Sequence, residues 1–508
     1  MRAEKSVKNV IVSWGIQLVV SLCGFIMRMI FVRTLNKEYL GLSSLFANIL
    51  TVLSLAELGV GSAITFSLYK PIADNDTDQI AALMQFFKKF YRFVGFTVLA
   101  FGTILTPFLP YLVNEMPQNV DHIYVIFIMY VVNSGISYFY SYKTTFVNAN
   151  QDYYIYSLNH GICYSTMIVI QIIILLTTKN FLIYFGVQII ATFVENYSIS
   201  KIADSKYHVL KEKNRKKIPK DTMHNIKVNT IAMIGHNIGG IVLGATDNII
   251  ISKFIGVIEV GIYSNYLLIT STVNTFLQQA FTSIVSSIGN LIVEGSEDEK
   301  ENTFYMIFFA NFWLYAFSGI AIYCLATPFI VFVFGKEYQF NQDIIAIMVM
   351  SFYATGIRQT VLSFRNAYGL FMQDVYKSYI EAIVNLIISI ILVKKLGIFG
   401  VFVGTVASIF GVAIWMETLI LFKYGFKKSP FKYYFKFIIY LFLFIVFAFF
   451  TEKIANMIAI KGIFGFIIKM IIVGIIPNLL ICICFFKTKE FRSLINTLIA
   501  VRKTNVKN

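Results

Sequence analysis

Charged, amide and hydroxyl side chains that recur at helical spacing inside long apolar runs are the groups of this sequence best placed to do chemistry. In the first run Ser13, Gln17, Ser21, Gly24 and Arg28 recur every three or four positions, which makes one polar stripe on one helix face. An ionisable group at mid-bilayer costs roughly 2.5 to 3.5 kcal/mol on insertion scales, so it normally faces a bundle interior or a wet cavity. A second stripe holds Asn237, Gly240, Gly244, Asp247 and Asn248, with His236 beside it. Ser43, Ala47, Ser54, Glu57 and Gly61 share another face, and Tyr263, Asn274 and Gln278 do likewise later in the chain. Arg358 and Arg365, followed by Lys377, add positive charge to a later run. Arginine supplies a planar, permanently charged fork that fits phosphate oxygens. The binding candidates are therefore Arg28, Gln17, Ser21, Asn237, Asn248 and Arg358, and the carboxylates able to take up a coupling proton or cation are Glu57 and Asp247. No acid, base and nucleophile set sits on a sizeable loop, so catalysis is not expected. The five cysteines are odd in number and lie in apolar runs, and Cys482 and Cys484 lack a second pair and nearby histidines. Neither a disulfide framework nor a metal site is expected.

The elements that position these residues follow from composition. A soluble domain is about 45 to 50% apolar and about 25% charged, whereas this chain is 57% hydrophobic and 14% charged, with a mean hydropathy of +0.71. At about 20 apolar residues per crossing, 508 residues leave room for about fourteen transmembrane helices and little else. The expected class is an all-α polytopic membrane protein. Spans fall near 9 to 32, 40 to 67, 93 to 113, 122 to 142, 155 to 176 and 181 to 200, then near 229 to 254, 259 to 290, 303 to 334, 342 to 364, 379 to 393, 396 to 422, 433 to 451 and 462 to 486. Arg2, Lys5 and Lys8 precede the first run as in a signal peptide, but no small-residue cleavage site ends it, so it stays as a helix.

Lysines and arginines near span ends resist translocation. With both termini cytoplasmic, 31 of the 43 lie inside, 9 outside and 3 within spans. The loop 201 to 227 alone carries nine, and reads as an inside-retaining linker drawn to anionic lipid rather than a nucleic-acid site. Two places run against the scheme: the acidic stretch from Glu294 to Glu301 on the inside, and Lys394 and Lys395 on the outside. Tyr138, Tyr140, Tyr142, Tyr153, Tyr154 and Tyr156 read as an interfacial aromatic belt in preference to a sugar-stacking surface. Lys469 reads as a snorkelling lysine outside any site.

A shift of 220 residues superposes the helix pair after the basic loop on the first pair without a gap, pairing Gly15 with Gly235, Gly24 with Gly244 and Gly41 with Gly261. The expected domains are a six-helix lobe at 1–200, a basic linker at 201–227, a second six-helix lobe at 228–422, and two further helices with a basic tail at 423–508. Two homologous bundles with a substrate between them are a transporter architecture.

The segments YLGLSSLFANILTVLSLAELGVGSAI at 39 to 64, YKPIADND at 69 to 76 and TDNIIISKFIGVIEVGIYSNYLLI at 246 to 269 resemble the polysaccharide transporters, or O-antigen-type flippases, of the multidrug/oligosaccharidyl-lipid/polysaccharide exporter superfamily. The resemblance implies a bacterial cytoplasmic-membrane flippase with an undecaprenyl-pyrophosphate-linked oligosaccharide as substrate. Its implied partners are membrane lipids and other polysaccharide-assembly proteins. Relatives that flip lipid-linked cell-wall precursor carry several cavity arginines, and in the first lobe Arg28 alone matches. A proton or sodium gradient is the expected energy source, with no bound cofactor. The alternatives are a multidrug extruder of the same superfamily and a membrane-embedded glycan polymerase. On the flippase reading Arg358 captures the headgroup early and Arg28 acts during translocation.

Overall fold

The computed structural model describes residues 2–54, 60–113, 116–150, 152–211, 218–370, 373, 375–457 and 462–505, and of some helical stretches, among them 2–11 and 231–243, only the backbone. The described residues contain helices and no strand. They form two compact units, 1–261 and 262–508. The first holds α1 (Arg2–Thr34), α2 (Lys37–Leu53), α3 (Val60–Ala73), α4 (Thr77–Leu105), the short α5 (Leu109–Leu112), α6 (Ile123–Ala149), α7 (Tyr153–Thr178), α8 (Phe181–Lys206) and α9 (Lys220–Phe254). The chain continues through α10 (Val257–Glu294), α11 (Glu297–Val333), α12 (Gln342–Ile357), α13 (Gln359–Ala367), α14 (Val375–Leu396), α15 (Ile398–Ser408), α16 (Ile414–Ile420), α17 (Phe431–Asn456), α18 (Gly462–Phe485) and α19 (Lys489–Asn505). Among the described residues ten helical stretches are long and apolar enough to cross a membrane. The other four expected spans fall on α2 with α3, α9, α10 and α14, each of which includes or adjoins residues that are outside the described set or described by their backbone alone.

Unit 1 is built on the pairing of α4 with α6. Leu83, Phe87, Tyr91, Val94 and Val98 recur every three or four residues and bury against Tyr138, Tyr142 and Phe146 of α6. Tyr138 and Tyr142 therefore leave the aromatic belt expected of them: each is only 7% exposed. The cause is register, because 138, 142 and 146 share the helix face that meets α4. Small residues allow the close approach, with Gly135 against Leu99 and Gly102 against Val131. The repeat-mated glycines Gly41 and Gly261 lie against one another. A Cβ on Gly41 would overlap the Val257 carbonyl, and one on Gly261 would stand 3.0 Å from both the Gly41 nitrogen and the Lys37 carbonyl oxygen.

In unit 2 the core is aromatic. Phe304, Phe308, Phe309 and Phe312 of α11 are fully buried, and Phe312 stacks on Tyr440 of α17 with ring centroids 4.3 Å apart. Tyr353 of α12 stacks on Phe444 of α17 at 4.2 Å, and Trp313 Nε1 donates to Asn478 Oδ1 of α18 at 2.7 Å. The last two long helices thus share the core of this unit.

Both places that run against the charge pattern have local explanations. Ser296 and Glu299 form a capping box at the start of α11, where Glu297, Asp298 and Glu299 meet the positive end of the helix dipole. Glu301 pairs with Lys428 at 2.6 Å and Lys432 at 2.7 Å. Lys394 and Lys395 occupy the last turn of α14, the end that favours cations. The basic loop is partly tied down as well: Lys206 and Tyr207 both donate to the buried carboxylate of Asp152, at 2.6 and 2.5 Å.

Candidate functional site

One group of polar residues in unit 1 lies where α7 packs on α1 and α8. On α7, Leu158, Ile162, Val169 and Ile173 are exposed along one side. Tyr156, His160 and Tyr164, spaced by four, run along a different face, with successive ring centroids 5.9 and 5.6 Å apart. His160 Nδ1 lies 2.8 Å from Glu195 Oε1 of α8. Asn159 Nδ2 donates to the Glu195 carbonyl at 3.1 Å, and Ser198 Oγ donates to Asn159 Oδ1 at 2.6 Å, which fixes the two helices in register around the pair. Farther along, Gln171 Nε2 donates to the Tyr184 carbonyl at 3.2 Å and lies 3.4 Å from Gln188 Oε1.

The stripe on α1 runs beside this seam. The Ser13 and Ser157 hydroxyls are 3.0 Å apart, Gly161 admits Ile16 where a Cβ would clash, and Gly24 faces the Tyr164 hydroxyl. Gln17 Nε2 donates to Ser21 Oγ at 3.4 Å, and both residues are half-buried. Arg28 is half-buried too, and its charge acts on the phenols of Tyr130 and Tyr184. Those rings belong to an aromatic group in which Tyr130 stacks on Phe185 at 4.0 Å and Phe31 meets Tyr184 edge-on at 5.5 Å.

The remaining sequence candidates are placed as follows. Asp247 and Asn248 of α9 are 4% and 1% exposed, inside unit 1. Asn237 also belongs to α9, with its side chain outside the described residues, and Glu57 lies outside them altogether. Arg358 is in unit 2, where α12 gives way to α13. There its guanidinium grips Glu417 with two donors, Nε at 2.8 Å and Nη2 at 2.5 Å, and reaches Glu381 with Nη1 at 3.3 Å. Lys377 closes the cluster, 3.0 Å from Glu381 and 2.6 Å from Glu417. All four are at most 8% exposed, and the charge of the buried Arg365 also acts on Glu417. Glu417 sits in α16 between two π-helical stretches, 409–413 and 421–426. In this arrangement Arg358 ties α12, α14 and α16 together, and contact with a ligand requires those pairs to open.

Sequence reasoning passed over Glu195, His160, Glu381 and Glu417. Each carried a usable signal: a titratable residue inside an apolar run, and for Glu381 a lysine four residues earlier.

A multi-pass helical chain with a polar seam inside one of its units is the build of a membrane transporter. Residues 6–288 match the family described as polysaccharide biosynthesis protein, and the chain belongs to that family. No curated protein is similar to it in sequence. Among solved structures the fold is shared with the lipid II flippase MurJ in an inward closed conformation, at 14% identity and a TM-score of 0.66, over 94% of this chain and 99% of that one. It is shared with an inward-facing multidrug resistance transporter of the MATE family, in the MOP superfamily, at 13% identity and a TM-score of 0.64, over 82% and 99% of the two chains. The Vibrio cholerae MATE transporter VcmN shares it at 14% identity and a TM-score of 0.54, over 84% and 99%. At these identities the likeness establishes the fold.

Proposed function

We propose that the chain is a flippase that carries an undecaprenyl-pyrophosphate-linked oligosaccharide, the repeat unit of a polysaccharide, across the bacterial cytoplasmic membrane by alternating access. The observation that carries the reading is Arg28: in a chain of a polysaccharide biosynthesis family, a permanent cation lies on the polar stripe of α1, near enough to Tyr130 and Tyr184 for its charge to act on their phenols. A pyrophosphate leaving water needs such a partner, while Gln17 and Ser21 offer hydrogen bonds to sugars, and the polyprenyl tail stays in lipid. Asn237 and Asn248 belong to the same proposal from α9, and Arg358 serves it from within its ion-pair cluster. The 31 to 9 division of basic residues supports cytoplasmic termini.

Movement of a charged headgroup against its gradient needs a coupled ion. Glu57 and Asp247 are the sequence candidates, and the His160–Glu195 pair joins them because it is a membrane-embedded acid–base couple with a partly accessible surface. The multidrug-extruder reading rests on the shared fold alone, whereas the flippase reading has the family as well.

The test is the fate of the substrate in cells. When the protein is depleted, lipid-linked oligosaccharide should accumulate in a form that glycosidase added outside the membrane does not cut, and re-expression should restore its cleavage. Undiminished cleavage during depletion, with no competing flippase induced, would remove this substrate from the account.

A further inference from the structure

Lys469 has no place in the transport site, yet its surroundings are those of a binding site. It lies seven residues into α18, about 10 Å from the helix start at about 1.5 Å per residue. There it lines a partly open cavity of about 500 Å³ in unit 2, between the ends of α11 and α17 and the starts of α12 and α18. This volume is within the range of small-molecule sites, about 300 to 1,000 Å³. The other polar walls are Glu452, Gln342, Thr327 and Asn456, and Phe466 and Phe332 supply apolar ones. Among the described residues the Lys469 ammonium takes no hydrogen-bond or ion-pair partner. Glu452 accepts one hydrogen bond, from the Tyr323 hydroxyl at 2.9 Å, and Gln342 Nε2 is spent on the Tyr323 carbonyl at 3.2 Å, which holds the α11 and α12 walls together.

One cavity thus presents a cation without a partner among the described residues and a carboxylate with acceptor capacity left over, at the depth where lipid headgroups meet a span end. A purely anionic headgroup would satisfy Lys469 but be repelled by Glu452, and a sugar headgroup would leave the ammonium without a counter-charge. A group carrying both a phosphate and an ammonium satisfies both walls, and its acyl chains leave along the aromatic side. We infer that this cavity binds the headgroup of a zwitterionic phospholipid, with Lys469 on the phosphate and Glu452 on the ammonium. Nothing in this depends on what the chain transports.

The experiment is native mass spectrometry of the purified, delipidated full-length protein, titrated with short-chain phosphatidylethanolamine, with phosphatidylglycerol of the same chains, and with inorganic phosphate as competitor. The wild type should take up phosphatidylethanolamine saturably and prefer it to phosphatidylglycerol. Lys469→Met should weaken that binding roughly tenfold, the scale of one lost charge-assisted hydrogen bond, and Lys469→Arg should restore most of it. Glu452→Gln should bring the two lipids close to equal affinity by weakening one and admitting the other. Circular dichroism and monodispersity of each variant separate loss of binding from loss of fold. Equal affinity of wild type and Lys469→Met, preference of the wild type for phosphatidylglycerol, or displacement by phosphate as effective as by the lipid would each overturn the assignment.

Discussion

Glu417→Ala should destabilise unit 2 by about 3 to 5 kcal/mol, the usual cost of removing one partner from a buried ion pair. The reason is arithmetic of charge. Arg358, Lys377 and Arg365 face Glu381 and Glu417 in a region where none of the five is more than 8% exposed. Taking Glu417 away strips both strong contacts from Arg358 and the shorter contact from Lys377. Two buried cations are then left to share Glu381, at 3.3 and 3.0 Å. A compensating variant separates charge from packing. Glu417→Leu combined with Arg358→Met removes one charge of each sign and leaves the Lys377–Glu381 pair intact, so most of the lost stability should return. Thermal unfolding in detergent, followed by circular dichroism, compares the three proteins. Unchanged melting in Glu417→Ala would mean that water or another group neutralises the cluster, and a double variant no better than the single would mean that packing rather than charge is at stake.

Glu195→Gln should abolish the response of transport to a pH gradient while leaving exchange at equal pH largely intact. The amide keeps the shape and can still meet His160, but it no longer carries a proton on and off. A gradient of one pH unit is worth about 1.4 kcal/mol per proton, a tenfold bias in distribution. Wild-type flipping should therefore respond by up to about tenfold to such a gradient, and the variant should not respond. The pair is flanked by the Tyr156 and Tyr164 rings, the Asn159 amide, the Ser198 hydroxyl and the Cys163 thiol, none of which is charged at neutral pH. His160→Gln should reduce the response less, since Glu195 remains titratable. If Glu195→Gln keeps the full response and Asp247→Asn or Glu57→Gln loses it, coupling belongs to those carboxylates instead.

Much of the architecture was legible from apolar runs. Helices begin and end within about six residues of the expected spans at α7, α8, α11 and α17, because length and hydropathy leave a membrane helix few alternatives. The contact between Gly41 and Gly261, which a shift in sequence pairs, was not announced by that pairing. Side-chain partnership was not legible. Arg358 read as a cation able to meet a headgroup, and nothing in its neighbourhood of sequence announces Glu417, which stands 59 positions on. Tyr138 and Tyr142 read as interfacial because tyrosine favours headgroup depth, but burial against α4 overrides that preference. His160 and Glu195 are 35 residues apart on different helices, so only packing reveals that they are a pair. On α1 helical spacing sets Ser13, Gln17 and Ser21 on one face, and of these Ser13 meets Ser157 of α7.

The central claim, that Arg28 handles the pyrophosphate of a lipid-linked sugar in transit, is tested most directly by flipping of a fluorescent polyprenyl-pyrophosphate sugar in proteoliposomes. Wild type, Arg28→Ala and Arg28→Lys are reconstituted at equal density, and a phosphate-free analogue is supplied as competitor. The account predicts that Arg28→Ala flips at least about tenfold more slowly, the scale of one lost charge-assisted contact of about 1.4 kcal/mol or more. Arg28→Lys should recover only part of the rate, because it keeps the charge and loses the fork, and the phosphate-free analogue should compete poorly. Equal rates in all three proteins, together with full competition by the uncharged analogue, would contradict it.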